Sequence, residues 1–219
     1  MDFEFIRAYI PLYAEAAGMT LRISFLGILL SAAIGLLCSL VKIFKIPVLK
    51  SIVNGYIELS RNTPLLIQLF FLYFGLPKIG IVLSSESCAV TGLAFLGGSY
   101  MAEAFRTGIE QVPVIQSESG LSLGLTKWQV FQYIILPQAV TTSVPVFCAN
   151  IIFLIKETSV FSAVALADLM FVAKDLIGIY YKTDEALLML VAAYLIILLP
   201  ISLLCSWIER RVRYAEFGN

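Results

Sequence analysis

The chain has 219 residues, of which 60% are hydrophobic and 14% are charged, and its mean hydropathy is +0.93. This composition excludes an ordinary soluble domain and predicts an integral membrane protein. Fifteen basic and fifteen acidic residues cancel, so no overall field favours nucleic acid as a partner. The length suffices for about five helical spans with short connections. We therefore expect one all-α membrane domain over residues 1–219, in contact with lipid and without a folded domain outside the bilayer.

The residue inventory argues against an enzyme. Histidine is absent, which removes His-based acid–base catalysis and most metal sites. The four cysteines are scattered and form no C-x-x-C pair, so apolar packing is the expected role for most of them. The chain also has no G-x-x-x-x-G-K-[ST] loop to cradle ATP phosphates. We expect no catalytic residue, no metal and no cofactor bound by this chain.

The first two spans are predicted from uncharged runs. Ile23 to Val41 carries no charge and is long enough to cross the hydrocarbon as a helix. A second apolar region from Ile52 to Pro77 is interrupted by "ELSRNTP". Thr63 followed by Pro64 is typical of an N-cap and a first-turn proline, which predicts that a helix begins again there.

Three further spans follow. The third, Cys88 to Phe105, is rich in small residues that allow close helix approach. The fourth follows Pro137 and ends at the polar quartet "KETS", and the last covers Ala186 to Trp207. Between them, residues 160–173 are apolar but contain Asp168; they are re-entrant, interfacial or part of a span.

Basic residues indicate the orientation of the spans. One side has an excess of lysine and arginine, which the positive-inside rule assigns to the cytoplasm: Lys42, Lys45, Lys50, Arg106, Lys127, Arg210, Arg211 and Arg213. Five spans then place the N-terminus outside and the C-terminus in the cytoplasm. Cys88, in the connection before the third span, is expected to be accessible from outside.

A polar insert separates spans three and four, over residues 115–137. Ser117 to Leu123 can be helical, Gly124 suits a left-handed helix end, and Thr126 with Gln129 forms a capping box for a second helix. Apolar Leu121, Leu125 and Trp128 fall at roughly helical spacing. Such a cytoplasmic element could lie on lipid headgroups or fill a groove on another protein.

Several motifs resemble one family. In the insert, Glu118, Gly124 and the sequence from Ile134 to Pro137 follow the spacing of the "EAA" loop of membrane subunits of ATP-binding-cassette (ABC) importers, although Ser119 and Gly120 replace its two alanines. The stretches "ELSRNTPLLIQLFFLYFGLP", "YMAEAFRTGIEQVP" and "KETS" are similar to permeases for polar amino acids of the histidine, glutamine and arginine type. Together these motifs cover about half of the chain.

The resemblance implies a type I ABC importer transmembrane fold in a bacterial cytoplasmic (inner) membrane. The implied partners are two ATPase subunits that bind ATP and Mg²⁺, a second permease copy in a homodimer or heterodimer, and an extracytoplasmic amino-acid-binding protein. The loop would be the coupling helix that docks into the ATPase, through Glu118, Gly120, Leu121, Gly124, Leu125, Trp128 and Pro137. The alternatives are a stand-alone secondary carrier or channel for small polar solutes, and a scaffold without transport.

Ionisable and polar residues within spans are the candidates for the substrate path, because such groups are costly in lipid. A zwitterionic amino acid needs a donor or cation for its carboxylate and an acid or carbonyl for its ammonium. The candidates are Glu58, Asn62, Thr63, Glu103, Lys156, Glu157, Thr158 and Ser159. We expect Lys156 and Glu157 to line the path, whereas Glu103 is expected to pair with Arg106 and Arg61 to lie at the cytoplasmic interface.

Overall fold

The computed structural model describes residues 1–44 and 46–217, and for residues 213–217 the backbone alone. Within those residues the fold is helical, with no strand. Lys45 and the side chain of Arg213, which entered the prediction of orientation, lie outside the described part. The helices are α1 (Phe3–Ile43), α2 (Pro47–Arg61), α3 (Leu65–Phe70), α4 (Ser85–Glu110), α5 (Val114–Ser122), α6 (Lys127–Val130), α7 (Leu136–Glu157), α8 (Leu169–Tyr180) and α9 (Thr183–Phe217).

Three of these helices continue into segments of different pitch. A π-helical turn, Phe71–Gly75, and a 3₁₀ turn, Leu76–Ile79, extend α3. A second π-helical turn, Phe131–Ile135, joins α6 to α7, and a 3₁₀ segment, Thr158–Val164, continues α7. The helical rod from α6 to the end of that segment is therefore a single element of 38 residues.

Helices α1 and α4 run parallel in very close contact. Every fourth residue of α1 along this contact is small: Gly27, Ser31, Gly35 and Ser39. A Cβ atom added at Gly35 would lie 2.5 Å from the Met101 Cβ and 2.8 Å from the backbone nitrogen of Ala102. The two backbones therefore approach as closely as small residues permit.

Serine hydroxyls join the same two helices. The single hydroxyl hydrogen of Ser31 is shared between the Gly27 carbonyl at 2.7 Å and the Leu93 carbonyl of α4 at 3.2 Å. That of Ser39 is shared in the same way between the Gly35 carbonyl at 2.8 Å and the Ala102 carbonyl of α4 at 3.2 Å. Both side chains are buried, so their hydroxyls are satisfied without water. The small residues expected on the third span are thus matched by a second set on the first span, which the sequence analysis did not identify.

Helix α4 is the centre of the bundle. On a second face it packs antiparallel to α7, where Thr142 donates to the Gly108 carbonyl at 3.0 Å and Asn150 donates to the Tyr100 carbonyl at 3.2 Å. On a third face α2 contacts it, where the Tyr56 hydroxyl donates to the Phe95 carbonyl at 2.7 Å. Every other long helix is therefore positioned relative to α4 or to its partner α1.

Ion pairs mark both ends of the α1–α4 contact. Arg22 pairs with Glu86 at 3.1 Å, and Lys42 pairs with Glu103 at 3.2 Å. Neither helix has a charged residue between its two paired residues. At 1.5 Å per residue the uncharged part of α1 is roughly 30 Å long, which matches the hydrocarbon thickness of a bilayer. The two ion pairs therefore lie where the two membrane boundaries are expected.

A polar clamp holds the first residues of α1 against α9. The Asp2 carboxylate accepts from the Phe5 backbone N–H at 3.0 Å and pairs with Lys182 at 3.0 Å. The hydrogen bond from the Phe5 N–H, and to a smaller extent that from the Lys182 ammonium, hold the pKa of the Asp2 carboxyl below its ordinary value. Further along, the Tyr13 hydroxyl donates to the Ala186 carbonyl at 2.7 Å. These contacts explain why α1 begins twenty residues before the uncharged run at Ile23.

The segment between α7 and α9 folds back into the bundle. Phe161 and Val164 are fully buried, and Ala165 adopts a positive φ of 55° that ends the 3₁₀ segment. Asp168, also fully buried, then caps α8 by accepting from the Phe171 backbone N–H at 2.8 Å. Residues 160–173 therefore comprise the end of the 3₁₀ segment, a short buried connection and the beginning of α8, which Asp168 caps.

The structure refines the predicted spans. Three helices are long and apolar enough to cross a membrane, Phe3–Ile43, Lys127–Val164 and Thr183–Val212, and Leu65–Ile79 is a shorter apolar helix. The prediction that Cys88 is accessible is wrong, because Cys88 lies in the first turns of α4 and is fully buried. The span count, the single-domain assignment and the orientation remain predictions.

We predict that Gly35→Ala destabilises the protein by about 1–3 kcal/mol, because the added methyl group would overlap the α4 backbone. The measurement is the apparent melting temperature of the detergent-purified protein. The matched control is Gly18→Ala on the same helix, where nothing lies within 4 Å of the added Cβ. The control is expected to be neutral or stabilising by up to about 1 kcal/mol. Equal melting temperatures for the two variants would contradict the proposed importance of this contact.

Candidate functional site

The break between α2 and α3 forms one wall of the site. Pro64 has no N–H to donate to the Ser60 carbonyl, so the helix cannot continue there. The Gln68 side-chain amide fills the gap, donating to the Ser60 carbonyl at 3.2 Å and to the Thr63 carbonyl at 3.0 Å. The predicted Thr63 cap is wrong: Thr63 donates to the Leu59 carbonyl at 2.7 Å, and α3 begins after Pro64 without a side-chain cap.

Two polar cavities lie beside this break. The first, of about 560 Å³, is lined by Lys42, Asn54, Ile57, Glu58, Arg61, Asn62, Tyr100 and Glu103. The second, of about 350 Å³, is lined by Arg61, Asn62, Thr63, Pro64, Leu65, Leu66, Leu96, Tyr100, Phe153, Glu157 and Val160. Arg61, Asn62 and Tyr100 line both, so the two cavities are adjacent parts of one cleft between α2, α4 and the end of α7.

Glu103 organises the charges of the first cavity. It pairs with Lys42 of α1 at 3.2 Å, with Arg106 of α4 at 2.7 Å and with Arg61 of α2 at 3.8 Å. Arg106 also pairs with Glu110 on the exposed side of the helix. The predicted i,i+3 pair of Glu103 and Arg106 is confirmed, but the carboxylate also ties three helices together.

Arg61 takes part in the cleft, although the sequence analysis assigned it to the cytoplasmic interface. Its guanidinium carbon lies 5.2 Å from the centre of the Tyr100 ring, a cation–π geometry. Because its contact with Glu103 is the longest of the three, the guanidinium keeps donors available for another anion.

Tyr100 and Asn54 also line the cleft. They gave no signal in the sequence, because aromatic and amide side chains are common in spans.

The predicted path residues divide into two groups. Glu58, Asn62, Thr63, Glu103 and Glu157 line the cleft. Lys156, Thr158 and Ser159 are not among its lining residues. Lys156 is exposed on another face of α7, and the fully buried Thr158 donates to the Ile155 carbonyl at 2.7 Å. Lys156 therefore does not line this cleft, and its place in the substrate path remains a prediction.

The polar insert has the local structure that its sequence predicts. Gly124 has a φ of +83° and separates α5 from α6. Thr126 accepts from the Gln129 backbone N–H at 3.3 Å, and the Gln129 side chain accepts from the Thr126 backbone N–H at 2.9 Å, which completes the capping box. The first helix begins at Val114, three residues before the predicted Ser117, because Pro113 restricts the chain just before it.

The seven predicted coupling residues lie in different environments. Gly120 is buried, and a Cβ added there would lie 2.6 Å from the Ile134 side chain. Leu125 is half-buried. The other five predicted residues are exposed: Glu118, Leu121, Gly124, Trp128 and Pro137. Gly120 therefore allows α5 to pack on the start of the α6–α7 rod, and the exposed residues face outward.

Several apolar side chains of the insert are exposed. Leu123 is 83% exposed, and Val114, Ile115, Leu121 and Trp128 are also exposed. The insert follows the end of α4 beyond Glu103 and Glu110, past the level where lipid is expected. Exposed apolar side chains in that position are typical of a protein–protein contact. Val114, Ile115 and Leu123 were not among the predicted coupling residues, because the family motif does not specify these positions.

Residues 27–214 match the family described as "Binding-protein-dependent transport system inner membrane component". The chain belongs to this family. It is therefore an inner membrane protein and the permease subunit of an ABC importer, which is a transport component. The alternative of a stand-alone carrier is disfavoured by this membership.

Named relatives cover the permease over nearly its full length. It is 31% identical to the "Probable amino-acid ABC transporter permease protein PatM" of Vibrio harveyi, over 98% of this chain and 97% of the relative. It is 32% identical to the "Glutamine transport system permease protein GlnP" of Escherichia coli, over 97% and 98% of the two chains.

Solved structures agree on the fold. A chain from the "Crystal structure of an amino acid ABC transporter with histidines" superposes with a TM-score of 0.92 at 34% identity, covering 96% of the permease and 99% of that chain. A chain of the MetNI methionine ABC transporter superposes with a TM-score of 0.72 at 19% identity, covering 97% and 99%. The second likeness shows the fold alone, and it supports the type I importer architecture.

We predict that Glu103→Gln destabilises the permease by roughly 2–4 kcal/mol, because three cations lose the carboxylate that they share in a partly buried place. The measurement is the shift of the apparent melting temperature. Glu110→Gln is the control, because the Glu110 side chain is 60% exposed and pairs with Arg106 alone; a change below about 1 kcal/mol is expected there. Equal shifts would show that Glu103 is no more than a surface ion pair.

Proposed function

We propose that the permease forms the path by which a polar amino acid crosses the inner membrane, driven by a separate ATPase. Five helical elements would cross the bilayer: α1, α3 with its extension, α4, the α6–α7 rod and α9. The N-terminus would lie outside and the C-terminus in the cytoplasm. The charge-free intervals bounded by the two ion pairs of α1 and α4 support this arrangement.

The chemistry of the cleft is the observation that carries the proposal. Arg61 and Glu157 line the same cavity of about 350 Å³. A guanidinium suits the carboxylate of an amino acid, and a carboxylate suits its ammonium group. One wall is aromatic and apolar, with Tyr100, Phe153 and Leu96, which is the mixture that small-molecule sites show. The amino acid permeases among the relatives of this chain support the same substrate class.

Asn62 and Glu58 have a supporting role in this proposal. The Asn62 side-chain amide donates to the Glu58 carbonyl at 2.7 Å and to the Glu58 carboxylate at 3.3 Å. These bonds hold the last turn of α2 closed beside Arg61. The two side chains would thus fix the position of the guanidinium and shape the mouth of the cleft, and their remaining acceptor lone pairs would face the solute.

The polar insert is the proposed coupling element. Its exposed apolar face would dock on one of two ATPase subunits, which would bind the ATP and Mg²⁺ that this chain is not expected to hold. A second permease subunit would complete the membrane part, and an extracytoplasmic binding protein would deliver the amino acid. The general need for a binding protein is consistent with the family description.

We predict that Glu157→Gln in the assembled transporter lowers amino acid uptake roughly tenfold or more. Loss of a charge-assisted contact with the ammonium group costs about 1.5–3 kcal/mol. The measurement is uptake of a panel of polar amino acids into proteoliposomes, with the binding protein added on the side from which the amino acid is taken up. Lys156→Gln is the matched control, because the neighbouring lysine is exposed and does not line the cleft. Unchanged uptake in Glu157→Gln would remove this residue from the path.

We also predict that Leu123→Glu prevents stable association with the ATPase, because a charge would be placed in an apolar contact. The measurement is the amount of ATPase subunit that copurifies, with substrate-stimulated ATP hydrolysis as a second readout. Ile79→Glu is the control, since Ile79 is 71% exposed but lies before the start of α4, at the opposite end of the bundle. Normal copurification and stimulation in Leu123→Glu would contradict the docking role.

A further inference from the structure

A further cavity adjoins the proposed substrate cleft and shares Lys42 with it. It has a volume of about 250 Å³ and is lined by Ser39, Lys42, Ile43, Lys50, Arg106, Ile109 and Glu110. Three of these side chains are cations, and they come from α1, α2 and α4. Lys50, which does not line the substrate cleft, is exposed.

The position of this cavity relative to the bilayer follows from α1. Lys42 ends the charge-free run of roughly 30 Å that begins after Arg22. The Lys42–Glu103 pair therefore lies at a membrane boundary. Lys50 lies eight residues after Lys42, in the first turn of α2. This is the depth of the phospholipid headgroups, where the phosphate groups of the lipids lie.

The charges of the cavity do not balance. Lys42 and Arg106 share Glu103, and Arg106 also pairs with Glu110. Lys50 has no ion pair with any residue that the structure describes. Three cations and one carboxylate, Glu110, line the cavity, and Glu103, which Lys42 and Arg106 share with Arg61, lies outside the lining. The lining therefore carries a net positive charge, which is complementary to an anionic ligand.

Exposed apolar side chains adjoin the cavity. Phe44 at the end of α1 is exposed, and so are Val48, Leu49 and Ile52 in the first two turns of α2. Val53 and Tyr56, further along α2, pack into the bundle beside Ile34. The beginning of α2 thus combines a lysine at the cavity with apolar side chains that are exposed among the residues described, the pattern of a helix that lies in the membrane interface.

We propose that this cavity binds the headgroup of an anionic phospholipid, with the phosphate held by Lys50, Lys42 and Arg106. The acyl chains lie along Phe44, Val48 and Ile52. An anionic lipid fits both features at once, because it joins a negatively charged phosphate to long apolar chains. A free phosphate ion or a nucleotide would satisfy the cations but would leave the apolar side chains uncovered. The site is independent of which solute the permease transports.

Lipid retention by the intact transporter tests this proposal. The permease with its ATPase subunits is reconstituted in vesicles of equal phosphatidylglycerol and phosphatidylethanolamine, extracted gently, and its bound lipids are measured by native mass spectrometry. The wild-type protein is expected to retain phosphatidylglycerol in preference to phosphatidylethanolamine. Lys50→Gln is expected to retain about fivefold less phosphatidylglycerol, the effect of one lysine at a membrane surface.

Two controls make the result decisive. Lys50→Arg keeps the charge and is expected to retain the lipid, and Lys78→Gln removes an exposed lysine at the other end of the bundle and is expected to match the wild-type protein. Equal retention by Lys50→Gln and the wild type would overturn the proposal. Displacement of phosphatidylglycerol by millimolar inorganic phosphate would also overturn it, because the site would then belong to a free anion.

Discussion

The contact between α1 and α4 is the constraint on which the rest of the structure depends. Because Gly35 faces the backbone of Met101 and Ala102, these two parallel helices cannot slide past each other without a steric clash. Serine hydroxyls of α1 reach carbonyls of α4 across the same contact. In a bilayer, where apolar side chains gain little from leaving lipid, such close packing and hydrogen bonding are the main forces that join helices.

That contact also sets the electrostatics of the cleft. It brings Lys42 to the level of Glu103, and Glu103 in turn binds Arg106 on its own helix and Arg61 from α2. The α2–α3 break at Pro64 then determines where α2 ends, and so where the Arg61 guanidinium lies. A packing contact in the membrane and a missing N–H at one proline together place a cation opposite Glu157 across the cleft.

The sequence predicted those features that depend on near neighbours along the chain. The Gly124 turn, the Thr126 capping box and the Glu103–Arg106 pair each involve residues within a few positions, and all three are confirmed. Features that depend on helix packing were harder to predict. Cys88 was expected to be accessible but is fully buried, because spacing alone does not show which face of a helix packs on another. The expected Thr63 cap failed for a local reason, since Thr63 donates to the Leu59 carbonyl. The small residues of α4 were identified in the sequence, but the matching Gly27–Ser39 stripe of α1 was not.

The continuity of the α6–α7 rod connects the two ends of the proposed mechanism. Its first residues are fixed by the capping box of the insert, and its α-helical part ends at Glu157, with an uninterrupted helical backbone between them. In the proposed mechanism, an ATPase docked on the insert would shift Glu157 relative to Arg61 through this rod, unless the π-helical turn at Phe131–Ile135 absorbed the motion. Arg61 contacts Glu103 of α4, and α4 packs closely on α1, so the rod would be the element that moves. The cation and carboxylate that fit one amino acid would then separate as the cleft changes shape.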